Sequence, residues 1–203
     1  MDKTHKNIKY IVGIDEVGRG PIAGPVAVCA FTCEKSFFEK IEIDVPLRDS
    51  KKLSRIQREK WFEYLKQEKE KGNCNFAVSF VDAEWIDKVG IVKCIQKALN
   101  KSLEKVTSSE ILFEKCHIFL DGGLKAPKEY IYQETIIKGD ELHPVISCAS
   151  IIAKVTRDNL MFKYAEKFPD HGFENHVGYG TKAHYDSIKK HGQTPIHRKT
   201  FIH

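Results

Sequence analysis

Residues Gly13 to Pro25 read Gly-Ile-Asp-Glu-Val-Gly-Arg-Gly-Pro-Ile-Ala-Gly-Pro. The apolar run Tyr10-Ile-Val-Gly-Ile14 before them reads as a buried strand over residues 9–14. It stops at two adjacent carboxylates, Asp15 and Glu16. Gly18, Gly20, Pro21, Gly24 and Pro25 then allow neither a long strand nor a helix, so the chain must turn tightly. The apolar stretch from Pro25 to Phe31 reads as the returning strand. A strand, an acid pair and an arginine between two glycines also bound the chemistry. Carboxylates hold divalent cations, glycines let backbone approach a ligand closely, and arginine meets phosphate. The segment points to metal-dependent chemistry on a phosphate-bearing polymer.

The 203 residues suit one domain, spanning 1–203, with a substantial core. A net charge of +5 permits a polyanionic partner without proving one. Six cysteines show no Cys-x-x-Cys spacing and several sit in apolar runs, as small buried residues do. The first residues lack the apolar core of a signal peptide. No apolar stretch approaches the ~20 residues that span a bilayer. The expectation is a reduced, cytoplasmic enzyme without membrane attachment.

Further elements follow along the chain. Ser54 and Gln57 make a capping box, predicting a helix through Trp61, Phe62 and Leu65. Phe76 to Val81 reads as a strand, and residues 83–106 as one or two helices. His117 to Leu120 reads as a strand ending in Asp121. Tyr130 to Ile137 reads as another, ending in Lys138-Gly-Asp140. Pro144 starts a long helix, on which Ala149, Ile152, Ala153, Thr156 and Leu160 recur as one buried face. Ser150, Lys154 and Asp158 fall on another. Strands interleaved with helices give an α/β class.

Three strands thus end in acids: Asp15–Glu16, Asp121 and Asp140. In α/β sheets, ligands gather beyond the carboxyl ends of parallel strands. Four carboxylates converging there repel one another unless hard cations compensate. Adjacent strand residues point to opposite faces, so Asp15 and Glu16 share a site only where the strand ends or twists. Taken singly, Asp121 and Asp140 also read as turn residues, since Asp and Gly are common in turns. Gly18-Arg19-Gly20 alone reads as a simple tight turn after a strand, and Tyr179 alone as a half-buried core residue. Lys51, Lys52, Arg55 and Arg58, and Lys182, Lys189, Lys190, Arg198 and Lys199, form basic runs that are either a solvated face or phosphate contacts. The six histidines from 171 to 203 lack a zinc spacing and read as surface and loop residues.

The chain resembles the type 2 ribonucleases H, specifically the ribonuclease HII family. The residues that carry the resemblance are the Gly13–Pro25 segment, Asp49-Ser-Lys-Lys-Leu-Ser54, Asp121-Gly122 and Lys138-Gly-Asp140. Ala149-Ser-Ile-Ile-Ala-Lys-Val-Thr-Arg-Asp158, Gly178-Tyr-Gly-Thr181 and His197-Arg198 complete the set, in order from residue 11 to 201. The resemblance implies an RNase H-like fold: a central mixed five-stranded sheet flanked by helices, with a helical C-terminal portion. It implies catalytic, metal-holding carboxylates at Asp15, Glu16, Asp121 and Asp140, with two Mn²⁺ or Mg²⁺ ions in the substrate complex. Asp158 is then a structural partner of a nearby basic group. Gly18, Arg19 and Gly20 would read the ribose 2′-OH, and Tyr179 would meet the sugar next to the cleavage point. Lys51, Lys52 and Lys182 are expected at phosphates. The implied enzyme is a monomeric endoribonuclease of replication and repair. It cleaves the RNA strand of RNA–DNA hybrids and cuts 5′ to ribonucleotides embedded in duplex DNA, leaving 3′-OH and 5′-phosphate ends.

Ser147-Cys148-Ala-Ser150 replaces a more alanine-rich run of that family, and His197-Arg-Lys-Thr-Phe201 varies its basic ending. Neither removes an expected ligand. The chain stops two residues after Phe201, so a C-terminal partner-binding tail is not expected. The related ribonuclease HIII typically has lysine between the loop glycines and an extra N-terminal domain. Arg19, and the ~10 residues before the first strand, argue against it. Another metal-dependent nuclease or integrase of the same fold remains open, since fold alone does not fix function. A non-catalytic hybrid-binding protein would need a broken carboxylate set, and all four acids are present.

Overall fold

The computed structural model describes residues 8–107 and 113–203. Strand β1 (Tyr10–Val17) pairs antiparallel along its whole length with β2 (Val26–Glu34), which pairs antiparallel with β3 (Cys74–Val81). On its other side β1 pairs parallel with β4 (Cys116–Asp121), and β4 pairs parallel with β5 (Gln133–Ile136). The sheet is therefore mixed and five-stranded, in the order β3-β2-β1-β4-β5. The loop between β1 and β2 is short enough to force an antiparallel neighbour. The β3–β4 connection carries helices α2 (Ala83–Val89) and α3 (Ile91–Val106), which the parallel partner requires.

The pleat of β2 divides the core in two. Val26, Val28 and Ala30 face α2 and α3, packing with Ile86, Ile95, Leu99 and Leu103. Cys29, Phe31 and Cys33 face α1 (Arg55–Glu70) and α5 (Pro144–Lys167), packing with Trp61, Leu65, Ile151 and Ile152. Both faces are covered, so β2 is apolar from Val26 to Phe31 and buried up to Cys33. The Ser54–Gln57 capping box starts α1, and Gly90, at φ 84°, breaks the 83–106 stretch into two helices. All six cysteines are free and buried.

Three expectations need correction. The last stretch before Lys138 is strand only over β5, so Asp140 lies not at a strand end but in the short helix α4 (Gly139–Leu142). Lys138, in the left-handed conformation at φ 56°, turns the chain there. On α5 the buried surface is not one stripe. Every residue from Val145 to Ala153, Ser150 included, is buried between the sheet and its surroundings, whereas Thr156 and Leu160 are only half-buried. Strand β1 also runs three residues past Ile14, through both acids.

Gly13 explains how close α5 comes. A Cβ built there would lie 2.1 Å from the backbone oxygen of Val145. The first turn of α5 thus rests on the bare backbone of β1, next to Asp15. Neither backbone can yield, so Gly13→Ala is expected to cost on the order of 3 kcal/mol. A urea midpoint like that of the unaltered protein would show that α5 shifts freely.

Candidate active site

The parallel register brings the acids together. The β1–β4 rungs end at Ile14↔Leu120, so Asp15 and Asp121 stand one step beyond the last rung, side by side. Asp121 pairs with Ile136 at the end of β5, and the turn through Lys138 returns Asp140 over it. The Asp121 carboxylate accepts the Gly139 N–H at 2.7 Å, which ties the two acidic segments to each other. Asp15 and Asp140 are buried, at 6% and 4% exposure. Glu16 is half-buried on the opposite pleat, and its N–H donates to Asp15 Oδ1 at 2.8 Å. Its carboxylate meets the Arg19 guanidinium at 3.4 Å.

Crowding shows in the electrostatics. Burial pushes Asp15 up to about 8, and the charges of Asp121, Glu16 and Asp140 add to it, against a hydrogen bond from Ser150. Burial also raises Glu16, with Arg19 opposing, and raises Asp140, with Asp49 and Asp121 adding and Lys51 opposing. Among the described residues no three His, Cys, Asp or Glu side chains close into a ligand set for one ion. Each acid is instead engaged by protein donors: the Gly139 N–H for Asp121, Arg19 for Glu16, and Lys51, 3.5 Å away, for Asp140. The donor set still fits hard dications. It consists of carboxylate oxygens, and ionising the buried Asp15 among three other acids is unfavourable, a conflict that a cation relieves.

Three residues around the acids escaped sequence reasoning. Asp49 is buried and accepts the Lys51 N–H, which sets Lys51 against Asp140. Ser50 and Ser150, both buried, share a 2.8 Å hydrogen bond that links this turn to the helix beside Asp15. All three stand in motifs that carry the family resemblance, and a serine inside the apolar run Cys148–Ile152 is a further signal for Ser150. Asp158 pairs with Lys154 at 3.0 Å, as a structural partner.

The Gly18-Arg19-Gly20 loop follows directly. Gly18 is buried at φ 86°, while Arg19 and Gly20 are exposed. The loop is stitched to the Tyr179 segment: Ile22 and Ala23 both donate to the Gly178 carbonyl. Tyr179 is 43% exposed. Lys51 is exposed beside Asp140, Lys52 pairs with Glu141, and Lys182 is exposed at the start of the helix Lys182–His191. Arg198, expected among the surface basic residues, is fully buried. A 370 Å³ cavity at the other end of β1, lined in part by Tyr10, Cys33 and Cys74, contains none of these acids.

The C-terminal histidines also need correction. His171, His176, His184 and His197 are buried around Phe173. His176 and His184 stack with centroids 4.1 Å apart. His184 Nδ1 lies 2.9 Å from the Tyr179 carbonyl and therefore carries the hydrogen. Its Nε2 accepts from His197 Nε2, 3.0 Å away, and His197 Nδ1 accepts the Thr194 N–H. Burial lowers His184 and His197 to about 4. An unfolded histidine titrates near 6.5, so between about 6.5 and 4 the unfolded chain binds more protons and stability falls as pH falls. The stability advantage of the unaltered protein over His197→Gln should therefore shrink below pH 6.5, by up to about 1.4 kcal/mol per pH unit. A pH-independent difference would mean that His197 is not held neutral.

Comparison with known proteins places this arrangement. A sequence profile described as Ribonuclease HII matches residues 12–203. The chain is 40% identical to the ribonuclease HII of Clostridioides difficile, covering 97% of this chain and 71% of that protein. It is 41% identical to that of Bacillus cereus (strain B4264), covering 97% and 70%. Among solved structures it is similar to the ribonuclease H2 of Pyrococcus horikoshii OT3, with TM-score 0.69, 26% identity and coverage of 94% and 93%. It is also similar to the ribonuclease HII of Archaeoglobus fulgidus, solved in complex with PCNA, with TM-score 0.70, 25% identity and coverage of 95% of each chain. Bst-RNase HIII in complex with Mn²⁺, at 20% identity, TM-score 0.68 and coverage of 93% and 65%, shares the fold. Profile and relatives agree over nearly the whole length: the chain belongs to the ribonuclease HII family, and is a hydrolase, a nuclease of RNA–DNA hybrids.

Proposed function

We propose that this chain forms one catalytic unit over residues 1–203, a monomer that cuts 5′ to ribonucleotides embedded in duplex DNA as well as the RNA strand of hybrids. The observation that carries this reading is the nearness of Asp15, Glu16, Asp121 and Asp140 to one another where the β1–β4 pairing stops, with Gly18-Arg19-Gly20 next along the chain. The four carboxylates would hold two Mn²⁺ or Mg²⁺ ions. Bound there, the ions supply activation of a water and stabilisation of the departing oxygen, giving 3′-OH and 5′-phosphate ends.

The chain's own groups do the placing. Loop backbone at residues 18–20 reads the 2′-OH, which DNA lacks. Tyr179, exposed on the segment stitched to that loop, meets the adjoining sugar. Lys51, exposed beside Asp140, is positioned to lead a phosphate toward the acids. Lys52 and Lys182 add phosphate contacts farther out. No helix among the described residues is long and apolar enough to cross a membrane, and the proposed setting is ribonucleotide removal during replication and repair in the cytoplasm.

The test is a DNA duplex carrying one ribonucleotide, incubated with Mn²⁺, Mg²⁺ or EDTA. A single cut 5′ to the ribonucleotide, lost in EDTA, is expected. Comparable cutting of all-DNA duplex, or EDTA-resistant activity, would overturn the proposal. Binding should carry a salt signature too. Lys51→Ala, Lys52→Ala and Lys182→Ala should each weaken all duplexes alike and lower the salt slope by about one unit. Affinity that is flat with ionic strength would leave these lysines a merely solvated face.

A further inference from the structure

Two arginines are wholly buried, and neither has a carboxylate within ion-pair distance among the described residues. Arg157 donates to the carbonyls of Pro25 at 3.0 Å, Val177 at 3.0 Å and Ala23 at 3.3 Å. Arg198 donates to Gly18 at 2.6 Å, Gly24 at 2.9 Å and Arg19 at 3.0 Å. Arg198 also lies over the Phe201 ring, 5.2 Å from its centroid, yet a buried guanidinium hydrogen-bonded only to neutral carbonyls is a costly way to fill space, since desolvating the charge outweighs what those carbonyls return. Burial and the neighbouring Arg157 lower Arg198 only to about 9, so it remains cationic at neutral pH. Arg157, through Ala23, Pro25 and Val177, joins the stretch after the glycine loop to the stretch before Tyr179. Val177 itself is a β-branched residue at φ 43°, a strained conformation that surrounding contacts must hold.

We propose that Arg198 is a specificity-determining positioning residue, which fixes the Gly18-Arg19-Gly20 loop with its carbonyls turned inward and its N–H groups turned toward substrate. The step from hydrogen bonds to orientation is covalent geometry. In a trans peptide the C=O and the following N–H point in opposite directions. Gly18 C=O shares its peptide with Arg19 N–H, and Arg19 C=O with Gly20 N–H. With both carbonyls drawn to the buried Arg198, both N–H groups face away from it, on the two exposed residues of the loop. Among the described residues no protein acceptor is bonded to either N–H, and a Cβ placed on Gly20 would meet nothing within 4 Å. Two adjacent donors suit an accepting sugar oxygen. A deoxyribose leaves them unpaired, the situation in which a polar site discriminates most strongly. Glycines on both sides of Arg19 would otherwise let these peptides flip, presenting carbonyls that repel phosphate. Arg198 selects one of the two states.

This inference rests on the proposed sugar-reading role of the loop, and its test separates the two. Arg198→Lys keeps the charge but not the planar fork. On a duplex with one ribonucleotide, its kcat is expected to fall at least about ten-fold, with KM changed far less, because a misaligned reader misplaces the reacting phosphate. The rise in melting temperature on adding Mn²⁺ should be as large as in the unaltered protein, since the acids are untouched. A folded Arg198→Lys with kcat within about two-fold overturns the inference. Amide exchange on the unaltered protein gives an answer even if that variant fails to fold. Arg19 and Gly20 amides should exchange rapidly in the free protein, and become protected by the single-ribonucleotide duplex but not by all-DNA duplex. Slow exchange in the free protein overturns the inward-carbonyl arrangement. An unaltered protein that does not cut the single-ribonucleotide duplex sinks the functional reading, while exchange in the free protein still decides the orientation of the loop.

Discussion

Asp15→Asn is expected to abolish cleavage and, at neutral pH, to make the metal-free protein more stable. The two effects share one cause. Asp15 is buried among three other acids and raised to about 8. Its folded pKa lies above the unfolded value near 3.9, so the folded state binds the extra proton. Stability associated with Asp15 is therefore full below about pH 4, declines as pH rises, and levels off above about 8. At pH 7 most of that loss is present. Asparagine has no such titration, and removing the penalty should raise stability by on the order of 2 kcal/mol. Asparagine is also a weaker, neutral ligand, so Mn²⁺ should no longer raise the melting temperature as it does for the unaltered protein. Hybrid binding should survive, because the proposed phosphate contacts lie elsewhere. Urea unfolding with and without Mn²⁺, beside a cleavage assay, reads every part. Retained cleavage would remove Asp15 from the catalytic set, and a less stable metal-free variant would contradict the crowding argument.

Two glycines two residues apart should give opposite results. At Gly20 a Cβ meets nothing within 4 Å, and the backbone lies outside the left-handed region. Gly20→Val should fold with a melting temperature within a few degrees of the original, yet lose at least about 100-fold in kcat/KM on every ribonucleotide substrate, since a displacement of about 1 Å costs that much. At Gly18, φ is 86° and a Cβ would lie 2.3 Å from Arg157 Nε and 2.8 Å from the Pro25 carbonyl. Gly18→Ala should destabilise the protein itself, by about 2 kcal/mol or more. Substrate-level damage without unfolding at 20, against unfolding at 18, locates the boundary between the part of the loop that holds the fold and the part that meets nucleic acid. A fully active Gly20→Val would show that the loop does not approach the sugar.

What was legible in the chain depended on sequence distance. Strand periods, the Ser54–Gln57 cap, Pro144 and the acids after apolar runs are local signals, and the elements they predict are present. The mixed strand order came from the family resemblance, since periodicity carries no pairing information. Asp140 was found but assigned to the wrong element, because a four-residue helix after a left-handed Lys138 leaves almost no periodic trace. Arg198 and the histidines were misread for a shared reason. Such residue types are usually exposed, and what buries them lies far away in the chain, at positions 18, 19 and 24 for Arg198. The histidines settle one another, and Phe173, into a core that no single position announces.

The bond between Arg198 and Gly18 spans 180 positions, which sets an order on the ribosome. Strands β1 to β3 are complete by residue 81 and pair with near neighbours, so they form early. The contact proposed to fix the loop waits for residue 198. At 5–20 residues per second, translation separates the two events by on the order of 10 s. During that interval a nascent chain already carries its acid pair, while the loop proposed to read the sugar has no Arg198 to hold it. The proposed division of labour between acids and loop thus doubles as a timing device: a half-made nuclease, emerging in a cell full of RNA, lacks the contact that would let it align a target.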